Sequence, residues 1–193
     1  DVLAGMDWCI ANKDIYNIRV ITMSLRYVQG AYASYTPQTC PVVANPAINK
    51  ALTAGLFLDA ASGNDGNAQG ISYPACAPGV VSVGSTNDAN LGAGTFVDQI
   101  SGFTNRHASL DLLAPGNLID STAASQGFQC TTQGRLFVPC LGTSMAAPHV
   151  AGSVAVIFEK YPFLSPTQVE NLLKQSGVPI VDPATQLVFP RID

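Results

Sequence analysis

Gly142-Thr143-Ser144-Met145-Ala146-Ala147-Pro148-His149-Val150-Ala151-Gly152 sets a serine between a glycine and a long stretch without charge. From Met145 to Phe158 there is no Asp, Glu, Lys or Arg, and a helix apolar on every side belongs in a protein interior. The stretch therefore reads as a central, buried helix. Pro148 fits such a helix only within its first turn, where a missing N–H is harmless. That puts the helix start close to Ser144, with Gly142 allowing a tight turn ahead of it. Free N–H groups and the positive end of the helix dipole gather there, so negative charge developing beside Ser144 is stabilised. The position suits an acyl-transfer nucleophile, and it equally suits a serine that only caps the helix. Local sequence leaves both readings open.

The rest of the chain alternates between strand and helix signals, without internal repeats. Residues 2–11 carry Val2, Leu3, Met6, Cys9 and Ile10 at helical spacing, and residues 18–25 form a β-branched, mostly apolar strand. A polar loop, long enough to make a surface flap, runs to about residue 44 and leads into a second helix-like segment. Strands are expected at 55–61, 79–84 and 110–113. Ser165-Pro166-Thr167-Gln168-Val169-Glu170 opens a last helix with its cap and N1 proline in order. The fold class is α/β, a mostly parallel sheet flanked by helices, which collects functional groups at the C-terminal ends of its strands.

With 193 residues the chain is large enough for one domain, and only 11% of them are charged against 47% hydrophobic. That charge content is well below the roughly 25% of an average soluble domain, so much of the surface is destined for burial. The net charge of −4 without a basic stripe excludes nucleic acid as a partner. No apolar run reaches the roughly 18 residues that cross a bilayer, and no secretory leader pattern opens the chain, so no membrane partner is expected. The five cysteines include no C-x-x-C pair, which disfavours a zinc site. Cys130 and Cys140 bracket a segment able to turn back at Gln133-Gly134, leaving Cys40 to pair with Cys76 and Cys9 free. Such bridges imply a secreted or otherwise extracytoplasmic protein.

Several blocks together resemble the subtilisin-like serine proteases. Gly142 to Gly152 is similar to the family's nucleophile signature, Ser24-Leu25 to its substrate-binding strand and Ala61-Ser62-Gly63-Asn64 to its oxyanion segment. Tyr73-Pro74-Ala75, Ser82-Val83-Gly84 and Ala114-Pro115-Gly116 also follow the family's order, and the blocks span nearly the whole chain. The resemblance implies a serine endopeptidase with Ser144 as nucleophile and Asn64 as side-chain donor of the oxyanion hole. Ser24, Leu25 and Arg26 would pair with an extended peptide or protein substrate. Ala61, Ser62 and Gly63 would wall the pocket for the residue before the scissile bond, and Ser72 would lie at its floor. No cofactor is required; a structural calcium ion on carbonyls between 75 and 80 fits the family, and no metal-ligating side chains are assigned.

A serine hydroxyl needs an oriented general base. In the family, the Asp-Thr/Ser-Gly and His-Gly-Thr-His motifs that supply it precede the substrate strand, and neither occurs in these residues. His149 is five residues past Ser144, roughly 140° around the helix, and reads as a core histidine; His107 reads as solvent-facing. Residues 1–193 are thus expected to be the C-terminal part of a single catalytic domain. The missing N-terminal half of the same precursor would be its partner; the alternative is a catalytically inactive scaffold or binding module. Arg26 replaces a family glycine, implying either attraction for acidic substrates or a narrowed cleft. Asp59 interrupts an apolar strand and requires a partner, for which Arg26 on the neighbouring strand is the candidate. Residues 189–193 read as a run-in to a further helix.

Overall fold

The computed structural model describes residues 1–26, 34–41, 46–90, 96–122 and 137–193. Chain order is α1 (Val2–Tyr16), β1 (Val20–Met23), α2 (Pro46–Thr53), β2 (Phe57–Ala61), β3 (Val81–Asn87), β4 (Leu112–Thr122), β5 (Phe137–Leu141), α3 (Thr143–Lys160), α4 (Pro166–Ser176), β6 (Val178–Val181) and β7 (Val188–Arg191). The strands form one sheet in the order β1-β2-β3-β4-β7-β6, with β5 paired to β4. The β1–β2, β2–β3, β3–β4 and β4–β7 pairings are parallel; β4–β5 and β6–β7 are antiparallel.

Both sheet faces are covered, which is why the central strands are apolar at successive positions. Leu56, Leu58, Ala60 and Leu113 pack with Ala47, Ile48 and Ala51 of α2 and Met6 of α1. Phe57, Ala61, Val81, Val83, Leu112 and Ala114 pack on the other face against Ala146, Ala147, Val150 and Val154 of α3 and Val169 and Leu173 of α4. The architecture is the expected α/β sandwich. The capping box of α4 also forms: the Ser165 hydroxyl accepts from the Gln168 N–H, and the Gln168 side chain accepts from the Ser165 N–H.

Some expectations change. Helix α3 is buried on one face only. Ala146, Ala147, Val150, Val154 and Phe158 are buried, whereas Pro148, His149, Ala155 and Val156 are exposed, Val156 to 64%. No described residue covers that outer side. The chain's last residues are strand rather than helix run-in, because Val188–Arg191 is held between β4 and β6, with Arg191 in register with Leu113. The Cys40–Cys76 disulfide is present, and Cys9 is free and half-buried. Cys130, and so the expected Cys130–Cys140 bridge, lies outside the described residues, as does most of the expected flap.

Candidate active site

Gly142 ends the strand β5 approach and begins α3 with φ 145° and ψ 158°, a conformation that an L side chain rarely adopts. Its N–H donates to the Gly116 carbonyl at 2.8 Å, which ties the helix start to the Ala114-Pro115-Gly116 stretch of β4. In the first turn, the Met145 N–H turns back to the Gly142 carbonyl at 2.9 Å. The Thr143 N–H donates to Asn64 Oδ1 at 2.9 Å, and the Thr143 hydroxyl donates to the same oxygen at 2.8 Å. Thr143 Oγ1 in turn accepts from the Gly63 N–H at 3.2 Å. The helix is therefore capped by Asn64, a residue 79 positions away, and Ser144 is not the cap.

Among the described residues, two donors stay uncommitted around Ser144. Its own N–H belongs to the first turn and has no intrahelical acceptor. The Asn64 amide is fixed through its oxygen, so its Nδ2 hydrogens have no partner among the described residues. Dipoles held this rigidly can meet charge as it develops, without reorganising. On the other side of Ser144 stands Ser24, just past β1: the Ser24 hydroxyl donates to the Ser144 carbonyl at 2.7 Å, and Ser144 Oγ is 3.5 Å from the Ser24 carbonyl oxygen. The structure thus brings Ser24, Asn64 and Ser144 together.

Beyond Asn64, Gly63 adopts φ +109°, and a Cβ there would come within 2.3 Å of Ser72 Oγ and of Asn105 Nδ2. Ser62 and Ser72 are fully buried, and Ala61 is buried at the end of β2. Asn105 links this ground. Its Nδ2 donates to Ser34 Oγ at 3.1 Å, Asp65 Oδ2 at 3.1 Å and Ser72 Oγ at 3.3 Å. Its Oδ1 accepts from the N–H groups of Asp65 and Asn67 at 2.9 and 3.1 Å. Sequence reading missed Asn105, two residues before the His107 it took as solvent-facing, because a buried asparagine that satisfies backbone donors carries no local signature.

Arg26 does not meet Asp59. It forms an ion pair with Asp65, whose side chain is 7% exposed, bridging the residues after β1 to the loop after β2. Leu25 beside it is 39% exposed. Asp59 points instead toward Thr22 across the β1–β2 pair, accepting from its hydroxyl at 2.6 Å. The other carboxylate oxygen is buried without a partner among the described residues. Burial pushes the Asp59 carboxyl up to about 7, against a lowering by the Thr22 hydrogen bond. A protonated carboxyl needs no cation, so Asp59 can stay buried without Arg26.

Neither histidine shares a hydrogen bond with Ser144 among the described residues. His149 is exposed on the outer face of α3 rather than in the core, with Nδ1 donating to the Met145 carbonyl at 2.8 Å. His107 is half-buried rather than solvent-facing, its Nδ1 taken by Ser109. No group of three or more His, Cys, Asp or Glu among the described residues is placed to hold a metal ion. No helix among them is long and apolar enough to cross a membrane.

Comparison with known proteins follows the same lines. A profile of the Subtilase family matches residues 1–188. Subtilisin of Bacillus pumilus is 33% identical over 179 residues, covering 91% of this chain and 54% of that protein. Subtilisin E of Bacillus subtilis (strain 168) is 33% identical over 179 residues, covering 91% of this chain and 39% of that protein. The chain therefore spans about half the length, or less, of these curated relatives. Among solved structures, Sphericase superposes with a TM-score of 0.74 at 23% identity, over 100% of this chain and 63% of its own, a likeness of fold. With a family profile covering nearly all of its length, the chain belongs to the Subtilase family.

Proposed function

We propose that this chain supplies the nucleophile, oxyanion hole and substrate strand of a serine endopeptidase, as the C-terminal part of one catalytic domain. The observation that carries the reading is the freedom of two donors beside Ser144: its own N–H, and the amide of an Asn64 whose oxygen is committed to Thr143. Ser144 Oγ attacks the scissile carbonyl, and the new negative charge on the carbonyl oxygen is received by the Ser144 N–H and Asn64 Nδ2. The acyl-enzyme formed as the amine leaves is then hydrolysed by water. The hydroxyl's proton goes to a histidine, oriented by an aspartate, contributed by the portion of the domain that precedes this chain in the precursor; the histidine hands that proton to the departing amine, then takes one from the attacking water and returns it to Ser144 Oγ as the acyl group leaves.

Ser24, Leu25 and Arg26 continue β1 and offer main-chain groups to an extended peptide or protein substrate. Ala61, Ser62, Gly63 and Ser72 border the adjoining pocket, whose floor is polar because Ser72 and Asn105 fill the space beside Gly63. Asp65 neutralises Arg26, so the bridge narrows the cleft more than it attracts acidic side chains. Acyl transfer by serine asks for no cofactor; a calcium ion on carbonyls between 75 and 80 would be structural. A disulfide-bonded member of this family fits secretion.

The test is labelling of the complete protein by an alkyl fluorophosphonate, with the modified residue read by peptide mass spectrometry. Label at Ser144, lost in Ser144→Ala, is expected. Asn64→Ala should lower kcat by ~10²–10³, the usual loss for one oxyanion donor. An unlabelled wild-type protein that also fails to cleave casein would overturn the assignment in favour of an inactive scaffold.

A further inference from the structure

We infer that the Ser24 hydroxyl positions Ser144 by standing in for the helical N–H that Pro148 lacks. The inference rests on the reading of Ser144 as nucleophile and assigns Ser24 a task separate from substrate pairing. In an α-helix each carbonyl accepts from the N–H four residues on. For Ser144 that residue is Pro148, which has no N–H and whose ring crowds the carbonyl four positions back. Pro148 lies inside α3, beyond its first turn, so the first-turn tolerance for proline does not apply. The Ser144 carbonyl is left without its helical partner at the residue where placement matters most.

The Ser24 hydroxyl occupies that vacancy from outside the helix, donating to the Ser144 carbonyl at 2.7 Å. The return contact, Ser144 Oγ to the Ser24 carbonyl at 3.5 Å, is long and leaves the hydroxyl available. Residue 144 is then held from two directions. Asn64 grips Thr143 on one side, and Ser24, directly after β1, grips the 144 carbonyl on the other. A serine or threonine can do this at position 24, and an alanine cannot. A proline at 148 makes the outside donor necessary; any other residue there would restore the helical bond and make it redundant. Ser24 is therefore a positioning residue, coupled specifically to Pro148.

That coupling defines the experiment. In the complete protein, fluorophosphonate labelling rates and kcat and KM on a peptide substrate are measured for wild type, Ser24→Ala, Ser24→Thr, Pro148→Ala and the Ser24→Ala/Pro148→Ala double variant. Small displacements of reacting groups are costly in rate, so Ser24→Ala should fall about tenfold in kcat and labelling rate. KM should change less than twofold, and Ser24→Thr should keep most of the rate. In the Pro148→Ala background the same Ser24→Ala change should cost less than twofold, a non-additivity that a general folding defect does not produce. Should Ser24→Ala alone fail to fold, the comparison of Pro148→Ala with the double variant decides the matter by itself. An equal penalty in both backgrounds, or a loss confined to KM, overturns the inference while leaving Ser144 as nucleophile. Absence of label at Ser144 in wild type overturns the underlying reading and the inference with it.

Discussion

At Asp59, burial and ionisation oppose each other, and burial wins. The side chain lies on the α3 face of β2, 0% exposed, with one oxygen satisfied by Thr22 and the other unpartnered. Its carboxyl is raised from 3.8 to about 7, so the folded state keeps a proton that the unfolded state releases. Stability from this group is complete below about pH 4 and is lost as the pH climbs to about 7. The total is at most about 4 kcal/mol, from a shift of about three units. Asp59→Asn preserves the shape and removes the titration. In urea unfolding of the complete protein between pH 4 and 8, the variant should therefore gain on wild type by up to a few kcal/mol; parallel pH profiles would refute it. The sequence announced that Asp59 needed explaining but pointed to the wrong partner. Strand alternation fixes which face a side chain takes, not whether a carboxyl will solve its burial by pairing or by keeping its proton.

The elements that sequence predicted best are those whose ends carry their own chemistry. Helix α4 begins where Ser165, Pro166 and Gln168 say it should, because capping is local and needs no knowledge of the rest of the chain. Ser165→Ala removes the side-chain acceptor for the Gln168 N–H and should lower unfolding stability by about 1 kcal/mol. Ser165→Asp, which can still cap, should restore most of it; equal stabilities by urea titration would show that the box contributes nothing. Helix α3 was harder to read because its cap is not local. Gly142 and the charge-free run gave its start, but the residue holding Thr143 is Asn64, from the loop after β2. Local sequence therefore could not separate a capping Ser144 from a nucleophilic one, and the distant asparagine, by doing the capping, removes the first of these readings only. Strands β5, β6 and β7 escaped prediction because each contains a proline, Pro139, Pro179 and Pro190, a residue that argues against strand in isolation.

Across the molecule, the site is assembled from segments far apart in sequence, and the Cys40–Cys76 bridge joins two of them. Cys40 belongs to 34–41, which also carries Ser34, an acceptor for Asn105. Cys76 closes the turn that begins at Ser72, another acceptor for the same amide. The separation of 36 residues corresponds, in the chain-entropy description, to about 4 kcal/mol of lost freedom in the unfolded state, with 2–4 kcal/mol the usual measured range. Both sulfur-bearing residues are 6% exposed, so replacement by alanine also thins the packing around α2 and the strand faces beneath it. The Cys40→Ala/Cys76→Ala variant of the complete protein should lose about 2–4 kcal/mol in urea unfolding. If the bridge also steadies Asn105, KM for peptide substrates should rise more than kcat falls, since Asn105 contacts the pocket floor and not Ser144. A stability loss below about 0.5 kcal/mol would mean that 34–41 is held by its Tyr35–Ile71 pairing and the surrounding core, with the disulfide adding nothing. A loss of kcat with KM unchanged would instead tie the bridge to the helix start, by way of Gly63 and Asn64.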